Sequence, residues 1–121
     1  MPYSTAAKNL MLNALKGTNP TTPITHVSAH TASPGDTGTN EVAGGSYARQ
    51  AIAFNAASSG SMDDSTNGAA IPIPAGTTVT HIGFWSASSG GTFLGYVDVS
   101  DEAFTNAGTY TVTDADLDLN A

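Results

Sequence analysis

Apolar residues change their period once along the chain. Near the start, Ala7, Leu10, Met11, Ala14 and Leu15 recur at i, i+3, i+4, i+7 and i+8, the stripe of an amphipathic helix. Ser4 or Thr5 can cap it by accepting a backbone N–H. Lys16 suits the negative end of the helix dipole, and Gly17 supplies a left-handed stop. A helix this short is marginal alone, so its stripe is expected to bury against a sheet or a neighbouring subunit. Residues 18–23 hold two prolines and read as a turn.

Beyond Pro23 the period is two. Residues 24–31 read as a half-buried strand with imperfect alternation, and 47–56 as a second, with Ile52 and Phe54 on one face and Arg49 on the other. Between them, 33–46 is dense in Gly, Pro, Asp and Asn and reads as a loop. Residues 57–70 read as a second, exposed loop. Ile71-Pro72-Ile73-Pro74 is an edge or entry strand, because each proline removes a ladder donor. Residues 78–87 are apolar on both faces, which predicts a central strand covered on both sides. A hairpin turn at 88–91 leads to a partner strand at 92–99, 101–107 turns back, and 108–119 forms the last strand. In that last strand Tyr110 and Val112 are even-numbered while Leu117 and Leu119 are odd. The apolar face therefore slips between Thr113 and Leu117, predicting a bulge or a strand end.

These elements give a mainly β fold: a single β-sandwich or small barrel, jelly-roll or immunoglobulin-like, with one short N-terminal α-helix. One domain is expected over residues 1–121, with the helix in 1–17 and the sandwich in 24–121. The long loops at 33–46 and 57–70 call for a task, and contact with neighbouring subunits is the expected one.

Charge removes several classes of function. Lys8, Lys16 and Arg49 face ten acidic residues, for a net charge of −7. Three scattered cations cannot line up against phosphates, so no nucleic-acid partner is expected, and an anionic membrane surface repels such a chain. Charged residues make up 11% of the chain, against about 25% in an ordinary domain. Thr, Ser, Asn and Gly supply the polarity instead, which suits a protein that docks on others. With no cysteine, neither a disulfide framework nor a thiolate metal site can be drawn. Residues 1–16 are too short and polar for a membrane span and lack a signal-peptide pattern, so a soluble protein of the cytoplasm before assembly is expected.

Candidate chemistry is sparse. His26 and His30 share a strand face but stand about 13 Å apart, too far to ligate one metal. His81 lies on another strand and can approach either, and polar pairing within the sheet is the preferred role for all three. Asp114, Asp116 and Asp118 form a D-x-D-x-D run, a candidate calcium ligand set. The glycine and distant glutamate of an EF-hand loop are missing, and an acidic edge that discourages sheet-to-sheet aggregation is preferred. No G-x-S-x-G elbow sits between a strand and a helix. No catalytic set and no cofactor are therefore expected. Arg49 is expected to hold Asp36 or Glu41, or a carboxylate of another subunit. Trp85, beside Phe84, reads as core with an indole N–H that must find an acceptor, and would mark a contact surface only if exposed. Leu10, Met11, Arg49 and Trp85 are the candidate interaction residues.

Several segments occur in a telling order. The helix 4-STAAKNLML-12 leads to His30-Thr31-Ala32, then Pro34-Gly35 to Gly38, Asn40-Glu41-Val42 and 44-GGSYARQ-50. The second half carries 74-PAGTTVTHIGFW-85 and 91-GTFLG-95. Together they resemble a family of small virion proteins of tailed bacteriophages, commonly labelled tail-fibre-like, which includes capsid decoration proteins. The resemblance implies a non-enzymatic structural protein of the virion, assembled in the host bacterial cytoplasm. The decoration or cement role on the outer capsid is favoured, because no repeat, coiled coil or shaft is visible. A tail or tail-fibre subunit and a receptor- or glycan-binding module are the alternatives. Its implied partners are the major capsid protein, copies of itself, or tail proteins.

Overall fold

The computed structural model describes residues 2–18, 22–65, 69–113 and 115–119. Helix α1, Thr5–Lys16, begins at an N-cap Ser4 whose hydroxyl accepts from the Ala7 N–H, and stops at Gly17 with φ +106°. Among the described residues eight strands follow: β1 (His26–His30), β2 (Gln50–Ala51), β3 (Ser61–Asp63), β4 (Ala69–Ile73), β5 (Thr77–Trp85), β6 (Phe93–Phe104), β7 (Gly108–Val112) and β8 (Asp116–Asp118). They build a four-stranded sheet in the order β2-β1-β5-β6 and two antiparallel pairs, β4–β7 and β3–β8. The sheets are open, and the fold is a small, mainly β sandwich with one short helix rather than a closed barrel.

Strand β5 sits between β1 and β6. One face of the large sheet supplies Val27, Ala29, Val79, Ile82 and Phe84 to a core shared with Ile71 and Ile73 of β4 and Val112 of β7. Val79 and Ile82 both reach that core despite opposite parity, and the β5–β6 register shifts between Val79 and His81. The extra residues of this irregularity lie on β6, where Asp98 to Glu102 opposes His81 to Val79. Apolar residues on both faces of β5 have a packing cause. The opposite face carries Trp85, paired with Phe93, and is covered by the chain of 33–46. Val42 N–H donates to Ala29 O, Thr31 N–H donates to Asn40 O, and Pro34 is fully buried.

Several boundaries differ from the sequence-based expectation. The strand expected over 47–56 shrinks to Gln50–Ala51, because Ile52 and Phe54 pack as irregular chain against the core. The loop expected over 57–70 contains β3 and the start of β4. Strand β6 runs to Phe104, through the expected turn, pairing Thr77–Val79 with Glu102–Phe104. Pro72 sits inside β4, which pairs with β7 alone among the described strands. The last strand is broken where the parity slips, with β7 ending at Val112 and β8 starting at Asp116.

The helix is held at its start. Tyr3 bridges Gly95, Ser4 N–H donates to Leu94 O and Tyr96 N–H donates to Pro2 O, so the N-terminal arm covers part of the outer edge of β6. The Ser4 hydroxyl also donates to Phe93 O at 2.6 Å. Asp36 accepts the Thr5 N–H at 2.7 Å, a carboxylate at the positive end of the helix dipole.

Candidate functional site

Only Ala7 of the helix stripe is fully buried; Leu15 is 87% exposed, against the expectation that it packs inward. Leu10 and Met11 are half-buried. The reason is geometric, since the stripe does not close onto a sheet but forms one wall of an open groove of about 340 Å³. Tyr3, Leu10 and Met11 line one side, and Met62, Leu117 and Leu119 line the other. Leu119 is 60% exposed. Tyr3 O–H donates to the Asp118 carbonyl at 3.2 Å. Burial, and then the nearby Asp118 charge, raises the Tyr3 phenol above its ordinary value.

Arg49 is a clamp across three segments. Its Nε and Nη2 donate to the two carboxylate oxygens of Glu41, each at 2.9 Å, and Nη1 donates to Ala87 O at 3.1 Å and Gly90 O at 2.8 Å. The guanidinium carbon lies 3.7 Å from the Trp85 ring centroid, within range of a cation–π attraction. Tyr47 O–H donates to Glu41 at 2.7 Å while accepting the Ala29 N–H at 3.1 Å. Burial alone would raise the Glu41 carboxyl, but hydrogen bonds from Arg49 and Tyr47, with the Arg49 charge, hold it below its ordinary value. Burial and the bond to Glu41 push the Tyr47 phenol well up. Of the two carboxylates considered for Arg49, Glu41 is the partner and Asp36 serves the helix.

Trp85 is 8% exposed. Its ring packs edge-on against Phe93, with centroids 5.1 Å apart, and the close approach of Gly38 leaves no room for a Cβ, which would fall 2.4 Å from the indole. Gly38 also has φ +80°, so two constraints demand glycine there. The indole is core in this conformation, not an open platform for a ligand.

Below it runs a closed polar chain. His30 Nδ1 is 2.8 Å from the Thr39 carbonyl, which can only accept, so Nδ1 carries the proton. Nε2 then accepts from Ser28 Oγ–H at 2.6 Å, and Ser28 Oγ accepts from the Trp85 indole N–H at 2.8 Å. Burial lowers the His30 pKa, against the pull of the Thr39 bond. The Ser–His contact has the form of a nucleophile and its base, but both side chains are fully buried and fully bonded. A substrate cannot reach that oxygen, so the chain serves to hold the sheet face together.

The remaining candidates are scattered. His81 lies opposite His30 in the β1–β5 register, with Nε2 3.8 Å from Asp98, and His26 bonds to its neighbour Thr25. Asp114 lies outside the described residues. Asp116 and Asp118 are exposed on β8, on either side of the buried Leu117, with Asp63 opposite Asp116. Among the described residues no three histidine or acidic groups come together as metal ligands do.

Sequence reasoning missed the groove wall formed by Met62 and Leu117 and the Ser28–His30–Thr39 chain. The spacing Ser28-x-His30 places two polar side chains on one strand face, a readable signal. Gly83, opposite Ser28 in the register, was the matching one: a Cβ there would meet Ser28 Oγ at 2.6 Å and His30 Nε2 at 2.7 Å.

No curated protein matches the chain. A family model described as Gp80, podophage GP4 fiber I protein gp80, matches residues 2–120.

Proposed function

Because the chain belongs to the podophage GP4 fiber I protein gp80 family, we propose that it is a non-enzymatic subunit of a virion fibre, held to neighbouring virion protein by the apolar face around α1. A phage fibre-type structural protein is what the family establishes; the attachment through this face is the finer reading. The observation that carries it is the open groove of about 340 Å³ beside α1, flanked by exposed leucines, on a chain matched by the family from residue 2 to 120. Exposed apolar surface of this kind marks contact sites on soluble proteins. The other polar constellations are committed internally, with Arg49 on Glu41 and Ser28 under Trp85.

Separation of purified particles into heads and tail complexes, followed by quantitative mass spectrometry, tests the placement. The expected result is recovery with the tail and fibre fraction in few copies per particle. Recovery on DNA-free heads in hundreds of copies would overturn the fibre placement and favour a cement protein bound to the major capsid protein.

A further inference from the structure

We propose that residues 32–39 form a lid over the outer face of the large sheet, and that a proton on His30 opens it while the rest of the sandwich stays folded. The lid is separate from the groove beside α1, and none of its residues lines that groove.

A loop whose ends meet can move as a unit. Thr31 N–H donates to Asn40 O, and His30 and Glu41 bridge beside them, which closes the loop at its base. Within it Pro34 O accepts from the Gly38 and Thr39 N–H groups, and the Asn40 side chain donates to Ser33 O. These bonds travel with the lid. Among the described residues its ties to the rest of the chain are the Asp36 carboxylate on Thr5, the Thr39 carbonyl on His30 Nδ1, and the packing of Pro34 and Gly38. A segment bonded mainly to itself and tied at few points opens below the cost of global unfolding.

The polar chain beneath the lid closes only around a neutral His30. A proton on Nε2 turns that atom into a donor. Ser28 Oγ then faces two donors, Nε2–H and the Trp85 indole, and its own hydrogen loses its acceptor. The bond from Nδ1 to Thr39 O survives, so the cost falls on the Ser28 hydroxyl and on a charge kept from water. Of the charged groups facing the ring, Glu41 favours the imidazolium, while Arg49 and His81, opposite in the β1–β5 register, disfavour it. From β6 the Phe93 ring packs edge-on against it. Burial outweighs the favourable contacts and holds His30 below its ordinary 6.5. Lifting the lid lets water reach the ring and restores its basicity. The closed form is therefore fully favoured above pH 6.5 and loses ground as pH falls toward the folded value.

The full chain carries its own reporter, because Trp85 is the single tryptophan and its indole N–H ends the buried chain. Exchange of that proton with solvent, followed by NMR and corrected for the intrinsic rate, is compared with exchange of the β1–β5 ladder amides. In the wild type the indole is expected to be protected at least about tenfold less than the ladder. Below pH 6.5 its protection is expected to fall by up to about tenfold per pH unit, the limit for one proton. His30→Gln is expected to abolish that pH dependence. Gly38→Ala, whose Cβ would fall 2.4 Å from the indole ring, is expected to wedge the lid open at neutral pH, with the indole exchanging freely and the ladder still protected. An indole as protected as the ladder at every pH would overturn the proposal. So would a His30→Gln slope equal to that of the wild type, or a Gly38→Ala chain in which both protections vanish together. If His30→Gln does not fold, the wild-type comparison and Gly38→Ala still decide.

Discussion

Replacing Arg49 by Ala removes one side chain that joins three segments, and its cost can be estimated before it is measured. Two charge-assisted bonds to Glu41 and two bonds to the Ala87 and Gly90 carbonyls disappear, with the contact over Trp85. Adding separate values for each would double count, because one side chain makes them all. The better guide is the loss on breaking a buried pair from one side, about 3–5 kcal/mol, most of it the penalty on the carboxylate left behind. The side chains of Arg49 and Glu41 are 9% and 22% exposed, and Glu41 keeps the Tyr47 hydroxyl, so the lower end applies, about 3 kcal/mol. For a chain of 121 residues that corresponds to a fall in melting temperature of roughly 10–15 °C. Urea and thermal unfolding followed by fluorescence suit the test, since Trp85 is the single tryptophan and lies under the guanidinium. In a double-mutant cycle with Glu41→Gln, a coupling of at least about 1.5 kcal/mol is expected. A folded Arg49→Ala protein that loses less than about 1 kcal/mol, the scale of a surface pair, would refute the clamp.

Four further outcomes follow from the same contacts. Gly83→Ala should destabilise by about 1–3 kcal/mol or prevent folding, as overpacking does, and Ser28→Ala in the same chain should recover part of the loss; equal unfolding curves for Gly83→Ala and wild type would contradict the packing. Ser4→Ala should cost about 1–2 kcal/mol, since it removes an N-cap and a buried bond to Phe93, read from helix and global unfolding together. Glu41 has a folded pKa below its ordinary 4.5, so its contribution is complete above pH 4.5 and is lost as pH falls through the folded value; Arg49→Ala should flatten that acid limb. His30 is also depressed, from 6.5, so its contribution is complete above pH 6.5 and declines as pH falls toward the folded value, where the unfolded chain binds the extra proton. A pH series of unfolding midpoints for wild type and His30→Gln should differ in slope below pH 6.5.

Local signals were legible where the sequence both patterns and punctuates. Helix α1 begins and ends on its capping residues, β5 is central with apolar residues on both faces, and the parity slip between Thr113 and Leu117 coincides with the break between β7 and β8. Illegible were features that depend on distant partners. Residues 47–56 look like a strand, yet a two-residue ladder satisfies the sheet because the stretch 40–42 takes the rest of the β1 edge. Strand β3 hides in a Ser- and Gly-rich stretch and exists through its pairing with β8. Leu15 fits the helical stripe by spacing, but exposure depends on how far the sheet extends beneath it, which no periodicity reports. The same limit applies to the site: Arg49 and its candidate carboxylates could be named, while the groove needed the β3–β8 pair to be placed beside α1.

A density map of the intact particle, at a resolution that resolves strands, tests most directly whether this chain is a fibre subunit held through the face around α1. The expected result is density for this sandwich in the fibre, with the face around α1 covered by neighbouring virion protein. Density for the sandwich spread over the capsid surface, with α1 facing solvent, would contradict it.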